Sequence, residues 1–294
     1  MVKHCSQAWI FATALVLASR LGGAAESAPA DEPTHVAIEA LAEQPVVRAG
    51  QTFRVALVER IQPGWHTYWI NPGDAGQATK LHWTLPPGYR VDEVQWPVPR
   101  VFRAGSIVSY GYEGQAVLLQ TVHAPTTVSA MPVRLSVEAQ WLACRDICIP
   151  EHGAAQITLS QEPASATPPT AAAPAIFAEG SEHLPQPSPW PASLRVDKST
   201  VELRVRGLAH EVPAGAKIEF LPLNWGEIDN AAAQRTMRSG ADLILTLARG
   251  DLRSRPLAQL NGVLVVIEGH GTSRERGFFL QARTSSATDK RAQS

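Results

Sequence analysis

Apolar residues recur at every second position in two separate stretches of the chain. Phe53, Val55 and Leu57 alternate with Arg54, Ala56 and Val58, and Val133, Leu135, Val137, Ala139 and Trp141 alternate with Arg134, Ser136, Glu138, Gln140 and Leu142. Successive side chains of a strand point to opposite faces, so this period of two predicts half-buried β-strands. Turn chemistry punctuates them at Pro63-Gly64, Asn71-Pro72-Gly73 and Pro86-Pro87-Gly88. Farther on, Leu194/Val196, Val201/Leu203/Val205, Leu243/Leu245/Leu247 and the run from Val263 to Ile267 form a second β set, with Ala231 to Arg238 as a short predicted helix. The expected fold class is all-β, with two immunoglobulin-like β-sandwich domains in tandem.

Composition between the two sets marks a boundary. Gln161 to Pro191 is rich in Pro, Ala, Ser and Thr and offers little to bury, so a stiff, partly extended linker is expected. The domains are accordingly drawn at 33–161 and 191–284, with a Pro/Ala-rich linker at 162–190 and a disordered polar tail at 285–294. Trp190, at the linker's end, and Trp225 are expected in the core, although the loop Leu223-Asn224-Trp225-Gly226-Glu227 offers a surface for a partner.

The first residues bear on the compartment. Lys3 and His4 precede an apolar run from Ala8 to Ala18, followed by small residues through Ala24 and Ala25. A positive start, a short apolar stretch and a small-residue exit predict a secretory signal peptide at 1–25. Arg20 breaks the run well short of the roughly 20 apolar residues a spanning helix needs. The mature chain is then expected to be soluble and periplasmic.

Charge narrows the partners. Against 27 acidic residues stand 26 Lys and Arg, a formal net charge of -1, which gives no electrostatic reason to expect nucleic acid. Of 3 cysteines, Cys5 falls inside the signal, leaving Cys144 and Cys148. Two cysteines in an oxidising compartment can close one disulfide with no thiol left over.

That pair follows a strand, within Trp141-Leu142-Ala143-Cys144-Arg145-Asp146-Ile147-Cys148-Ile149-Pro150-Glu151. A thioredoxin-type site has two intervening residues at a helix start, where the dipole lowers the thiol pKa; this sequence has three and no helix. As a staple, a five-residue loop would contribute only about 2 kcal/mol in the chain-entropy account. Spacing alone leaves both an exchangeable pair and a stabilising bridge open.

The stretch Gly64-Trp65-His66-Thr67-Tyr68-Trp69-Ile70-Asn71-Pro72-Gly73-Asp74-Ala75-Gly76, followed by Trp141 to Glu151, resembles the N-terminal periplasmic domain of the DsbD thiol:disulfide interchange proteins. It looks closest to the ScsB-like branch, associated with suppression of copper sensitivity. Phe220-Leu221-Pro222-Leu223 and Leu260-Asn261-Gly262-Val263-Leu264 resemble that branch's second sandwich. The resemblance implies a cofactor-free thiol:disulfide interchange protein, reductase-like in its chemistry. It would pass electrons from a membrane-embedded thiol reductant or thioredoxin-like donor to periplasmic thioredoxin-fold clients. Cys148 matches the cysteine that forms the mixed disulfide and Cys144 the one that resolves it. The family's aromatic positions beside the sulfurs fall on His66 and Tyr68, and its aromatic cap matches Phe102. An imidazolium at His66 would favour a Cys148 thiolate; the alternative is a histidine hydrogen-bonded within a packed turn. The chain carries neither the membrane conduit nor the C-terminal thioredoxin-like domain of full-length members, so a free-standing periplasmic module is expected.

Two other readings stay open. Cys144, Cys148 and His152 form Cys-x3-Cys-x3-His, a soft donor set that suits Cu(I). A β-sandwich interaction module with an inert disulfide is the third.

Overall fold

The computed structural model describes residues 34–128, 131–162, 174–269 and 274–284; the predicted signal peptide and tail lie outside them. Among the described residues no helix is long and apolar enough to cross a membrane.

The first domain holds β1 (Val36–Ala42), β2 (Val46–Arg48), β3 (Thr52–Ile61), β4 (Thr67–Gly73), β5 (Lys80–Thr84), β6 (Arg90–Val91), β7 (Arg100–Ala104), β8 (Ile107–Tyr112), β9 (Gln115–His123), β10 (Val133–Cys144) and β11 (Cys148–Glu162). One sheet runs β1-β3-β9-β6, a second β2-β11-β10-β5, and a small third sheet β4-β8-β7. The alternation predicted both main sheets' inner faces. Phe53, Val55 and Leu57 meet Val133, Leu135, Val137, Ala139 and Trp141 in one core. The long antiparallel pair β10–β11 runs from Val133↔Leu159 to a last register pair, Cys144↔Cys148.

The outer face of the first sheet is apolar as well. Ala56, Val58, Val117 and Leu119 are covered by Phe177 of α1 (Pro174–Glu182). Residues 163–173 of the expected linker lie outside the described residues, but its second half begins with this helix. Pro174 suits the first turn, where its missing N–H is no loss. Arg54 ties the helix down: its guanidinium lies over the Phe177 ring at 5.4 Å and donates to Ser181 at 2.6 Å.

Beyond it come β12 (Gln186–Pro187), β13 (Ala192–Val196), β14 (Thr200–Val205), α2 (Leu208–Glu211), β15 (Lys217–Pro222), β16 (Arg235–Ser239), β17 (Asp242–Ala248), β18 (Gln259–Glu268) and β19 (Arg274–Thr284). They form one sheet in the order β15-β18-β19-β13-β14-β17-β16, with β12 beside β19. Leu203 and Leu245 from one end of that order share a core with Phe220 and Leu264 from the other. The sheet therefore folds over on itself, the sandwich-like arrangement the sequence led one to expect.

Two local expectations fail. The helix expected at Ala231–Arg238 is a turn leading into β16. Asp229 Oδ1 accepts the backbone N–H groups of Ala231 and Ala232 at 3.0 and 3.1 Å, an arrangement that competes with helix formation. The Gln234 amide then exchanges two hydrogen bonds with the Phe220 backbone, at 2.7 and 2.8 Å. Of the tryptophans, Trp190 packs edge-on to Phe278 at 4.8 Å, but Trp225 is 50% exposed.

The domains are bolted together. β18 is buried on both sides: Leu264 and Val266 enter the second core, while Val263 and Val265 join Leu221 in the core of the first. Polar contacts line the same junction. Asn71 donates to the Pro222 carbonyl at 2.8 Å, Tyr110 donates to Asn230 at 3.0 Å, and Asn230 donates to Asp74 at 2.7 Å.

One core position is acidic. Glu59 shares the inward parity of Phe53, Val55 and Leu57 and is fully buried. The Thr67 and Thr79 hydroxyls donate to its two oxygens at 2.7 and 2.6 Å. Burial pushes its carboxyl above the ordinary 4.5, so the folded chain holds this proton more tightly than the unfolded chain. That contribution to stability is full below the ordinary carboxyl range and is lost as pH rises through the folded pKa. Urea unfolding of Glu59→Gln between pH 4 and 8 is expected to show the variant gaining on the parent as pH rises. A stability difference that does not vary with pH would contradict this. Phe177→Ala should cost about 3 kcal/mol in the same assay, as a buried aromatic deletion does.

Candidate functional site

The site is the tip of the β10–β11 hairpin. Arg145, Asp146 and Ile147 make the loop, closed by Arg145 N–H donating to the Ile147 carbonyl at 3.0 Å. The Cys144–Cys148 disulfide spans the last register pair with the Cα atoms 4.1 Å apart. The two sulfur-bearing residues are unequal: Cys144 is 2% exposed, whereas Cys148 is exposed along with the loop, where Ile147 stands 66% open to solvent. Only Cys148 is presented to an incoming molecule.

Cys144 is buried because a second strand docks against it. His66 N–H donates to the Cys144 carbonyl at 2.9 Å, and Cys144 N–H returns the bond to the His66 carbonyl at 3.0 Å. From His66 the chain enters β4, and the period of two takes over. Thr67 points inward to Glu59. Tyr68 comes back to the cysteine side, where its hydroxyl lies 3.6 Å from Cys148 Sγ. The ring is held from behind by Gly76, whose φ is +108° and where a Cβ would fall 2.2 Å from Tyr68. β8 can lie against β4 because Gly111 has no side chain; a Cβ there would meet the Thr67 carbonyl oxygen at 1.9 Å.

The hairpin β7–β8 supplies the cover. Phe102 stacks on the His66 ring, centroids 4.6 Å apart and planes at 20°. His66 meets Tyr68 edge-on at 5.2 Å, with Nε2 3.3 Å from the Tyr68 hydroxyl. The structure thus gathers Cys144, Cys148, His66, Tyr68 and Phe102 in one place.

The electrostatics are those of a neutral site. Burial, opposed by the Glu113 carboxylate, holds His66 below its ordinary pKa, and burial raises Tyr68 above its own. An imidazolium therefore does not stand beside the sulfur at neutral pH; a neutral tyrosine hydroxyl does. Asp146 points into solvent, paired with Arg145 at 3.2 Å. Glu151 is committed elsewhere, accepting from His35 N–H at 2.9 Å and from Trp141 Nε1 at 3.0 Å, with the His35 ring 2.6 Å away.

Sequence reasoning passed over three supports. Trp65 stacks on His35 at 3.6 Å and receives the Arg145 guanidinium at 5.1 Å, which steadies the cysteine loop. Glu151 anchors the start of β1 to β11. Glu59 could have been flagged by parity, as the acid in an apolar alternation.

The copper-type donor set is not assembled. Along β11, His152 lies four residues beyond Cys148, roughly 13 Å at strand spacing. Among the described residues no three His, Cys, Asp or Glu side chains converge on a metal position.

Comparison with known proteins places this geometry. Residues 37–160 match the family described as thiol:disulfide interchange protein DsbD, N-terminal. Among solved structures, the N-terminal periplasmic domain of ScsB from Proteus mirabilis is similar at 19% identity and a TM-score of 0.55. That match covers 84% of this chain and 92% of that one, so the likeness in fold extends through both domains. The C-terminal domain of the Streptococcus agalactiae AgI/II polypeptide BspA (6% identity, covering 84% of this chain and 100% of that one, TM-score 0.23) bears on neither fold nor function. The same holds for the Actinomyces fimbrial adhesin FimA (11%, 85% and 99%, TM-score 0.21). No curated protein matches.

In the reduced protein, Cys148 is expected to alkylate at least about tenfold faster than Cys144, because reaction requires an accessible thiolate. Timed alkylation with peptide mass mapping reads this directly; equal rates would mean that the tip opens on reduction.

Proposed function

We propose that the chain is a periplasmic electron relay working through Cys144 and Cys148, a reading supported by the match of residues 37–160 to the DsbD N-terminal family. The pair takes two electrons from a membrane-embedded thiol reductant or a thioredoxin-like donor and gives them to thioredoxin-fold clients. The observation that carries this reading is the inequality of the two cysteines. Exchange proceeds by thiolate attack through a mixed disulfide, so one sulfur must be reachable and the second must wait within bonding range. Exposed Cys148 suits the first role and buried Cys144 the second. His66 and Tyr68 support the pair, and Phe102, stacked on His66, covers that ring until a partner displaces the β7–β8 hairpin. The run from Lys3 to Ala25 supports export by a signal peptide.

An inert staple would need none of this arrangement. Redox titration of the pair in glutathione buffers, read by alkylation and mass, separates the two. A potential of roughly −120 to −270 mV is expected, the range of catalytic exchange proteins. With Cys144→Ser, a thioredoxin-fold protein should be retained as a mixed disulfide on Cys148. A potential below about −300 mV together with no trapped adduct would overturn the proposal.

A further inference from the structure

Cys148, Tyr68 and His66 form a line. The Tyr68 hydroxyl stands 3.6 Å from Cys148 Sγ and 3.3 Å from His66 Nε2. His66 cannot slide along this line, because its backbone is paired to Cys144 on both sides. Gly76 packs directly against the Tyr68 ring, where a Cβ would fall 2.2 Å from it. The far face of the imidazole is covered by Phe102. We propose that His66 is the proton acceptor for Cys148, reached through the Tyr68 hydroxyl, and that the Phe102 cap sets how well it accepts.

This rests on the exchange reading above and adds its proton path. In the reduced site the Cys148 S–H donates to Tyr68 Oη and Tyr68 O–H donates to Nε2, while Nδ1 keeps its hydrogen. When Cys148 attacks a client disulfide, its proton moves to Tyr68 and the Tyr68 proton moves to Nε2. A bond forms between Cys148 Sγ and one client sulfur. The client's S–S bond breaks, and its second sulfur leaves as a thiolate that takes a proton from water. Cys144 then attacks Cys148 Sγ, its own proton going to solvent. The Cys144–Cys148 bond forms, the mixed disulfide breaks, and the first client sulfur leaves as a thiolate that takes up the proton released by His66. Two electrons and two protons have moved to the client, and the imidazole is neutral again.

The groups around the imidazole fit this role. Tyr68 on its own strand is neutral. Glu113, at the end of β8, is the carboxylate that acts on it, and Glu113 is itself paired with Arg100 of β7 at 3.4 Å. Desolvation keeps His66 a weak base while the cap is shut. Displacing Phe102 lets water reach the ring and restores its basicity. The relay is thus weaker while the cap is shut and stronger once a partner opens the site.

The test uses the full chain carrying Cys144→Ser. The rate of iodoacetamide alkylation at Cys148 is followed by peptide mass from pH 5 to 10. The parent should show two inflections, one from the imidazole and one from the thiol. His66→Phe, which keeps the stack, and Tyr68→Phe, which keeps the ring, should each remove the lower inflection. Each should also slow the reaction at pH 7 at least about tenfold, and the two together should be no worse than either alone. Phe102→Ala should move the lower inflection upward. A single inflection in the parent, or effects that multiply in the double variant, would overturn the relay. Independently of any variant, the nitrogen shifts of His66 should show the Nδ1-protonated tautomer in the reduced protein; the Nε2-protonated form would overturn it too. Because iodoacetamide needs no protein partner, a failed relay and an inert disulfide give separate results.

Discussion

Two backbone hydrogen bonds between His66 and Cys144 hold the site together. They dock the start of β4 onto the end of β10, and the rest follows from the strand's period of two. Once His66 is fixed beside one cysteine, Tyr68 must return to the same side and reach the other, while Thr67 must turn inward. There it meets the Glu59 carboxyl. The same short segment is thereby fastened to the cysteine hairpin at one end, to a buried acid in the middle, and to the second domain through Asn71 at its far end. This is the strand that carries Tyr68, whose hydroxyl lies 3.6 Å from the Cys148 sulfur.

The chemistry that results is one of neutral groups. Thioredoxin-type sites gain their thiolates from a helix dipole or a cationic neighbour; here the hairpin tip has neither. Arg145 is turned toward Trp65, Asp146 faces water, and burial keeps His66 and Tyr68 uncharged. A site built this way offers the sulfur no fixed positive charge, and the Phe102–His66 stack covers the ring beside Tyr68.

Much of this was legible in the residues. The alternation from Val133 to Trp141 ran straight into Cys144, which placed the cysteine at a strand end, and the paired β sets gave the tandem architecture. His66, Tyr68 and Phe102 were reached only through resemblance. No periodicity links residues 66, 102 and 148; what joins them is the pairing of β4 with β8 and β8 with β7. Other features left weaker marks. The helix from Pro174 to Glu182 is anchored by a single large side chain, Phe177, so an apolar stripe never appears. β16 was hidden because its residues, Arg235 to Ser239, are all exposed and carry no apolar alternation. The second domain's support of the site was invisible because Val263 and Val265 read as an ordinary buried strand, whose two faces serve different cores.

That double-faced strand has a cost for modularity. Leu221, Val263 and Val265 complete the core that also holds Trp69 and Tyr110, so the boundary drawn by composition is not a boundary in the packing. Removing the second domain would strip apolar cover from the strands that carry Tyr68 and the cap, and expose a greasy face where a soluble protein shows a polar one. A shortened chain would therefore tend to self-associate through that face. The two domains share part of one core, so a chain ending at that boundary would need polar residues in place of that face.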